Sequence, residues 1–262
     1  MDILKREIAR RVFAFELSRS NYATAESGER SPKYILTPTG VKCNRVFMVG
    51  VLLEKEEVSP DSNFWRIRVS DPTGVVTGFV GRYQSEALES LLEIEPPEIV
   101  SIVAKLNLFQ GETRNLLSLR PESINISDRK NRDFWVIETA KRTLERIKRM
   151  KEDGDGNDDI KLAMDIYNPD LKEYLEIVKK AVEAVREEAE VFAERGKEVS
   201  EAKGELGIVE EAEIEEIEET EEEQKDEIEK RKIEELKLDS FEFDEFEFEE
   251  EEWDLSDILD EE

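Results

Sequence analysis

Apolar residues change their period along the chain, and each change marks a different kind of element. Near the start, Ile3, Ile8, Val12 and Phe15, with Phe13 and Leu17 less regular, recur at mostly helical spacing among Lys5, Arg6, Arg10 and Arg11. This predicts an amphipathic helix ending near Ser20-Asn21, followed by polar, turn-like residues 22–33 and a short extended piece, Tyr34-Ile35-Leu36-Thr37. The period then falls to two. Residues 43–53, 64–70, 75–80, 99–109 and 115–119, the last continued by Ile124-Asn125-Ile126, read as strands, with a short amphipathic helix over residues 84–92. Gly50 inside the long first strand is what a sharp barrel corner needs. Helical spacing returns at residues 133–151, at 162–166 and from Leu171 to Val185, after a break at Gly154-Asp155-Gly156-Asn157. From Gly204 onward glutamate dominates and apolar residues are too sparse for a packed core.

Three strands, one helix and two more strands is the order of an OB-fold, a partly open barrel that often binds oligonucleotides. The expected architecture is therefore a mainly β N-terminal domain, a five-stranded OB-fold barrel flanked by α-helices, followed by a helical and acidic, largely disordered C-terminal region. Its parts are an N-terminal helix and arm (1–33), the barrel (34–131), an assembly helix (132–152), a helical segment (160–203) and an acidic tail (204–262).

Charge sharpens this division. Residues 1–150 hold 24 Lys and Arg against 21 Asp and Glu, yet the whole chain carries a net charge of -29, so the back half is a polyanion. One cysteine, Cys43, leaves no disulfide framework or multi-thiolate metal site within a chain. Histidine is absent, and with it histidine triads, bases and metal ligands. No phosphate-binding loop or dinucleotide fingerprint is present. Asp71-Pro72-Thr73-Gly74 reads as a β-turn, not as a catalytic pair. Asp155, Asn157 and Asp159 lack the closing glutamate of a calcium loop. The expectation is a protein that is not an enzyme and takes no metal or cofactor. Met1-Asp2-Ile3-Leu4-Lys5-Arg6 opens a charged pattern, not an apolar leader, and no window approaches the roughly 18 apolar residues of a membrane span. A cytoplasmic location without membrane contact is expected.

Two constellations carry binding chemistry. On the strands, alternate residues share a face, so Trp65, Ile67 and Val69 point inward and Phe64, Arg66 and Arg68 outward. The same alternation turns Lys105 and Phe109 outward, and sets Arg114 and Arg120 against inward Leu117 and Leu119, with Phe79 and Tyr83 extending the third strand's share. Aromatic rings stack on bases and cations follow phosphates, so this surface suits single-stranded nucleic acid. Arginines that merely keep an outer face soluble, or bridge to glutamates, are the alternative. The second constellation is the acidic end. Residues 238–262 hold 14 acidic residues and no Lys or Arg, around Phe241, Phe243, Phe246, Phe248, Trp253, Leu255, Ile258 and Leu259. Acids interleaved with rings imitate phosphates and bases, or form a short amphipathic docking segment; a solubilising disordered tail is the alternative.

Residues 1–151 also resemble the archaeal replication-protein-A-associated proteins, small OB-fold partners of archaeal single-strand-binding protein. The likeness rests on Arg10-Arg11-Val12-Phe13-Ala14, Tyr34-Ile35-Leu36-Thr37-Pro38-Thr39-Gly40 and Asn44-Arg45-Val46-Phe47-Met48-Val49-Gly50, taken in order. Phe64-Trp65-Arg66-Ile67-Arg68-Val69-Ser70-Asp71-Pro72-Thr73-Gly74, Glu95-Pro96-Pro97, Arg120-Pro121-Glu122-Ser123-Ile124 and Asp133-Phe134-Trp135-Val136-Ile137-Glu138-Thr139-Ala140 continue it. The resemblance implies a complex with a larger replication protein A subunit that binds single-stranded DNA in replication and repair. It also implies assembly through the helix after the barrel, here the one carrying Trp135, Leu144 and Ile147. Residues 160–262 fall outside it. Two readings stand: a subunit that touches DNA, and an assembly module that does not.

Overall fold

The computed structural model describes residues 7–25, 33–60, 62–111, 115–152 and 157–205. Five strands close a barrel: β4 (Arg45–Glu57), β5 (Trp65–Asp71), β6 (Gly74–Val80), β7 (Glu98–Gln110) and β8 (Asn115–Ile126), in the order β4-β5-β6-β8-β7. A helix, α2 (Ser85–Glu93), lies between the third and fourth of these, so the barrel has the expected OB-fold order. Inward residues such as Met48, Leu52, Ile67, Val69, Ile102 and Leu119 are fully buried and form its core.

β4 serves two neighbours. Arg45 to Leu52 pair with β7, and Val51 to Glu57 pair with β5. The exchange occurs beside Gly50, where an added Cβ would sit 2.3 Å from the Ser70 carbonyl oxygen, so only glycine lets the strands approach this closely. A bulge between Leu52 and Glu54 completes the bend. The barrel closes through one parallel pair, Gly78 with Leu119.

The N-terminal segment departs from its helical reading. Residues 7–13 run extended, and helix is confined to α1 (Ala14–Arg19). The first half of β4 has β7 on one side only, and its other edge must be satisfied. Arg10 does this, donating its N–H to the Arg45 carbonyl (2.9 Å) and accepting from the Phe47 N–H (2.9 Å). Ladder hydrogen bonding thus overrides a helical apolar period. Residues expected to be turn-like likewise include a strand, β1 (Tyr22–Ala25), in a small sheet with β2 (Lys33–Leu36) and β3 (Lys42–Cys43).

The β5–β6 turn holds α1 in place. Asp71 Oδ2 accepts from the Ala14 N–H (2.7 Å) and Thr73 Oγ1 from the Phe15 N–H (3.1 Å), so the turn caps a helix that lacks a cap of its own. Burial pushes the Asp71 carboxyl pKa up, against the bonds from Thr73, Ala14 and Gly74 that favour the anion.

The helices after the barrel are α3 (Arg129–Glu152), α4 (Asp158–Tyr167) and α5 (Leu171–Glu205). The expected separation near residues 154–159 does not divide the cores: Leu36 and Met150 pack with Ile160 and Ala163. Tyr167 donates to the Leu36 carbonyl (2.7 Å) and accepts from Asn21 and Tyr22 N–H groups, while Tyr174 meets Phe15 edge-on at 5.1 Å. Met1–Glu194 accordingly form one compact unit. The expectation of a disordered tail lies outside the described residues.

Inside this unit Glu16 is 1% exposed and paired with Arg146, whose Nη2 donates to Oε2 at 2.9 Å. Arg146 Nε also donates to Thr39 Oγ1 (2.7 Å), whose hydroxyl donates to Glu16. Removing one partner of such a pair strands a buried charge. Arg146→Met is expected to cost about 3–5 kcal/mol in denaturant unfolding, and adding Glu16→Gln should restore part of it. Burial pushes the Cys43 thiol up to about 12. Cys43 should therefore resist thiol reagents at neutral pH in the native chain and react on unfolding.

Candidate nucleic-acid interface

β5 presents its outward residues in a ladder with both neighbours. Arg66 lies opposite Glu56 on β4 and Phe79 on β6; Arg68 lies opposite Glu54 and Thr77. Phe64, immediately before β5, stacks on Phe79 with centroids 5.6 Å apart and planes 8° from parallel. Phe64 stays 42% exposed, leaving ring surface for a further stacked ring. Each arginine faces a glutamate: Arg66 bonds Glu56, and Arg68 reaches Glu54 at 3.4 Å. With both guanidinium groups about half exposed, such pairs are worth roughly 0–1 kcal/mol, so a phosphate can replace the carboxylate at little cost.

The ladder continues across the seam. Phe79 and Arg120 are the next residues along from the closing pair Gly78 and Leu119, and Arg120 lies opposite Lys105, itself opposite Arg45. Arg66, Phe79, Arg120 and Lys105 therefore follow one another around the girdle on consecutive strands. Lys105 is drawn towards Glu122 (3.8 Å), which already holds Arg45 bidentately at 2.6 and 2.9 Å. On the other side of the seam, β6 and β8 splay to leave a groove of about 170 Å³ with Val75, Thr77, Leu116 and Ser118 among its lining. Phe109, opposite Leu116 on the β7–β8 hairpin, is exposed.

Phe64, Arg66, Arg68 and Phe79 thus form one surface, with Arg120 and Lys105 on the strands beyond it. Phe109 stands further out on the hairpin, and Arg114 lies outside the described residues. Sequence reasoning missed Glu54 and Glu56, because it ended the first strand at residue 53; their spacing of two was the available signal of a longer strand. Tyr83, exposed with the Arg82 guanidinium 5.0 Å from its ring centroid, extends the aromatic surface past the end of β6.

The expected docking stripe on α3 is placed differently. Trp135, Leu144 and Ile147 are buried within the chain. Trp135 donates its indole N–H to the Phe47 carbonyl (2.8 Å) and meets Phe13 edge-on. One turn before Trp135 on the same helix, Arg132 binds Glu188 of α5 at 2.6 Å. The apolar face is wide enough to be covered by more than one neighbour, which helical periodicity alone does not distinguish from a face awaiting a partner. Phe241, Phe243, Phe246, Phe248, Trp253, Leu255, Ile258 and Leu259 lie outside the described residues.

No family model matches the chain, and no curated protein matches it in sequence. Among solved structures it is similar to a chain of a replication protein A heterotrimer bound to single-stranded DNA, at 16% identity over 53% of this chain and 98% of that one, with a TM-score of 0.38. It is also similar to the mitochondrial single-stranded DNA binding protein Rim1 from S. cerevisiae, at 20% identity over 32% of this chain and 91% of that one, with a TM-score of 0.26. A structure of yeast Stn1 and Ten1 matches at 9% identity over 40% of this chain and 55% of that one, with a TM-score of 0.32.

Because Ile147 is fully buried, Ile147→Asp should unfold or strongly destabilise the chain by itself, by several kcal/mol, for want of a partner for the new carboxylate. A denaturant midpoint measured without any added protein tests this.

Proposed function

We propose that the chain is a non-catalytic OB-fold subunit of a replication protein A-like complex, and that it contacts single-stranded DNA through the outer face of β5 and β6. The observation that carries this reading is the ladder itself, in which the Phe64–Phe79 stack adjoins Arg66 and Arg68. Rings offer stacking surface to bases of any sequence, and guanidinium groups beside them meet the phosphates between those bases. The proposal extends to a larger partner subunit, to action in replication and repair, and to an acidic aromatic tail that recruits other proteins or mimics DNA. A cytoplasmic location accords with it; among the described residues no helix is long and apolar enough to cross a membrane.

Glu54 and Glu56 favour the second reading, an assembly module without DNA contact, because they neutralise the arginines that would meet phosphate. Anisotropy of a labelled oligo-dT titrated with the full chain separates the two. On the DNA reading Phe64→Ala weakens binding by about 1–3 kcal/mol. Arg66→Ala with Arg68→Ala flattens the salt dependence by about 0.7 log units per lost phosphate contact. Glu54→Gln with Glu56→Gln tightens binding. Affinity and salt slope unchanged in all three variants, or no binding by the full chain, would leave the assembly module.

A further inference from the structure

A second recess lies away from the β5–β6 face, where the N-terminal arm and the start of α3 meet the outer side of β4 and β7. It has a volume of about 260 Å³, and its aromatic walls are Phe47, Phe134 and Trp135. Arg11 enters from the arm with its guanidinium 5.4 Å from the Phe47 ring centroid. Arg11 Nε is buried and has no hydrogen-bond partner among the described residues, an orphaned donor in a partly apolar setting. Ser101, Ser127 and Asn131 add hydroxyl and amide groups to the wall. Phe134 is 52% exposed although it stands beside the fully enclosed Trp135. Lys130, one turn earlier on the same side of α3, is exposed and makes no ion pair among the described residues.

We infer that this recess is a docking site for an acidic peptide segment of a partner protein, one that carries an aromatic side chain next to its carboxylates. The ring enters between Phe134 and the arm, and a carboxylate meets Arg11 and Lys130. Charge complementarity selects the acid: among the described residues the cations at this site are not answered by glutamates as Arg66 and Arg68 are. The ring geometry selects a peptide over a nucleic acid strand. Phe47 is already covered by Arg11 and Trp135 is enclosed against Phe13, so Phe134 alone offers a surface, and successive bases have no series of open rings to stack on. The site is independent of the DNA reading above.

The probe is a labelled free peptide, Phe-Glu-Phe-Asp-Glu-Phe-Glu-Phe-Glu, which has the required chemistry and repeats residues 241–249. The titrant is the full chain with Phe241, Phe243, Phe246 and Phe248 replaced by Ser, so that its own tail does not compete. Arg11→Glu is expected to weaken peptide binding at least about tenfold, consistent with loss of a charge-assisted contact. Phe134→Ala, at an exposed position that leaves the core intact, should weaken it severalfold. Arg66→Ala with Arg68→Ala should leave it unchanged. Equal binding in all variants, absence of binding, or loss only in the Arg66 and Arg68 variant would overturn the assignment. So would an Arg11→Glu chain that loses oligo-dT affinity but keeps the peptide, since that would make the recess a nucleic-acid contact.

Discussion

A barrel strand that exchanges one neighbour for another leaves backbone edges that must be satisfied elsewhere, and β4 imposes this on the whole N-terminal unit. Its first half pairs with β7 and its second with β5, with the exchange at Gly50 and the bulge after Leu52. The arm at Arg10 answers the exposed edge of the first half. Along the second half, Lys55 reaches the Leu91 and Leu92 carbonyls at the end of α2, where a cation also suits the helix dipole. The arm pairs the backbone of β4 itself, whereas Lys55 serves the last carbonyls of α2 from its side chain.

Once the arm is committed to β4, α1 is delivered against the β5–β6 turn, and Asp71 and Thr73 supply the acceptors its first N–H groups need. That placement buries Glu16, and Arg146 from α3 neutralises it. The helix after the barrel is therefore tied to the N-terminus by charge and to β4 by Trp135. Its apolar face serves the chain's own core. An assembly role for α3 would have to use its exposed side, where Lys141, Arg142 and Arg149 already pair within the helix with Glu138 and Glu145.

The candidate interface shows how a strongly acidic protein can keep a local surface of arginines and stacked rings. Net charge acts over a Debye length of about 8–10 Å, whereas a bound strand senses the groups it touches. On β5 those groups are two arginines beside a stacked aromatic pair. Their glutamate partners hold the local charge close to neutral.

The amino-acid sequence by itself determined the barrel. Alternation over residues 64–80 and 99–109, the turn at Asp71-Pro72-Thr73-Gly74 and the lone helix between the third and fourth strands are local patterns, and each was legible from neighbouring residues. It also determined the outward placement of Phe64, Arg66 and Arg68, because a strand's side chains alternate whatever surrounds them. Tertiary structure decided what depends on residues far apart in the chain. It made an extended arm of residues with helical spacing, since an open strand edge outweighed their propensity. It set Glu54 and Glu56 against the arginines, because only register reveals who faces whom. It enclosed Trp135, Leu144 and Ile147, because an apolar stripe records that something covers it without recording what does.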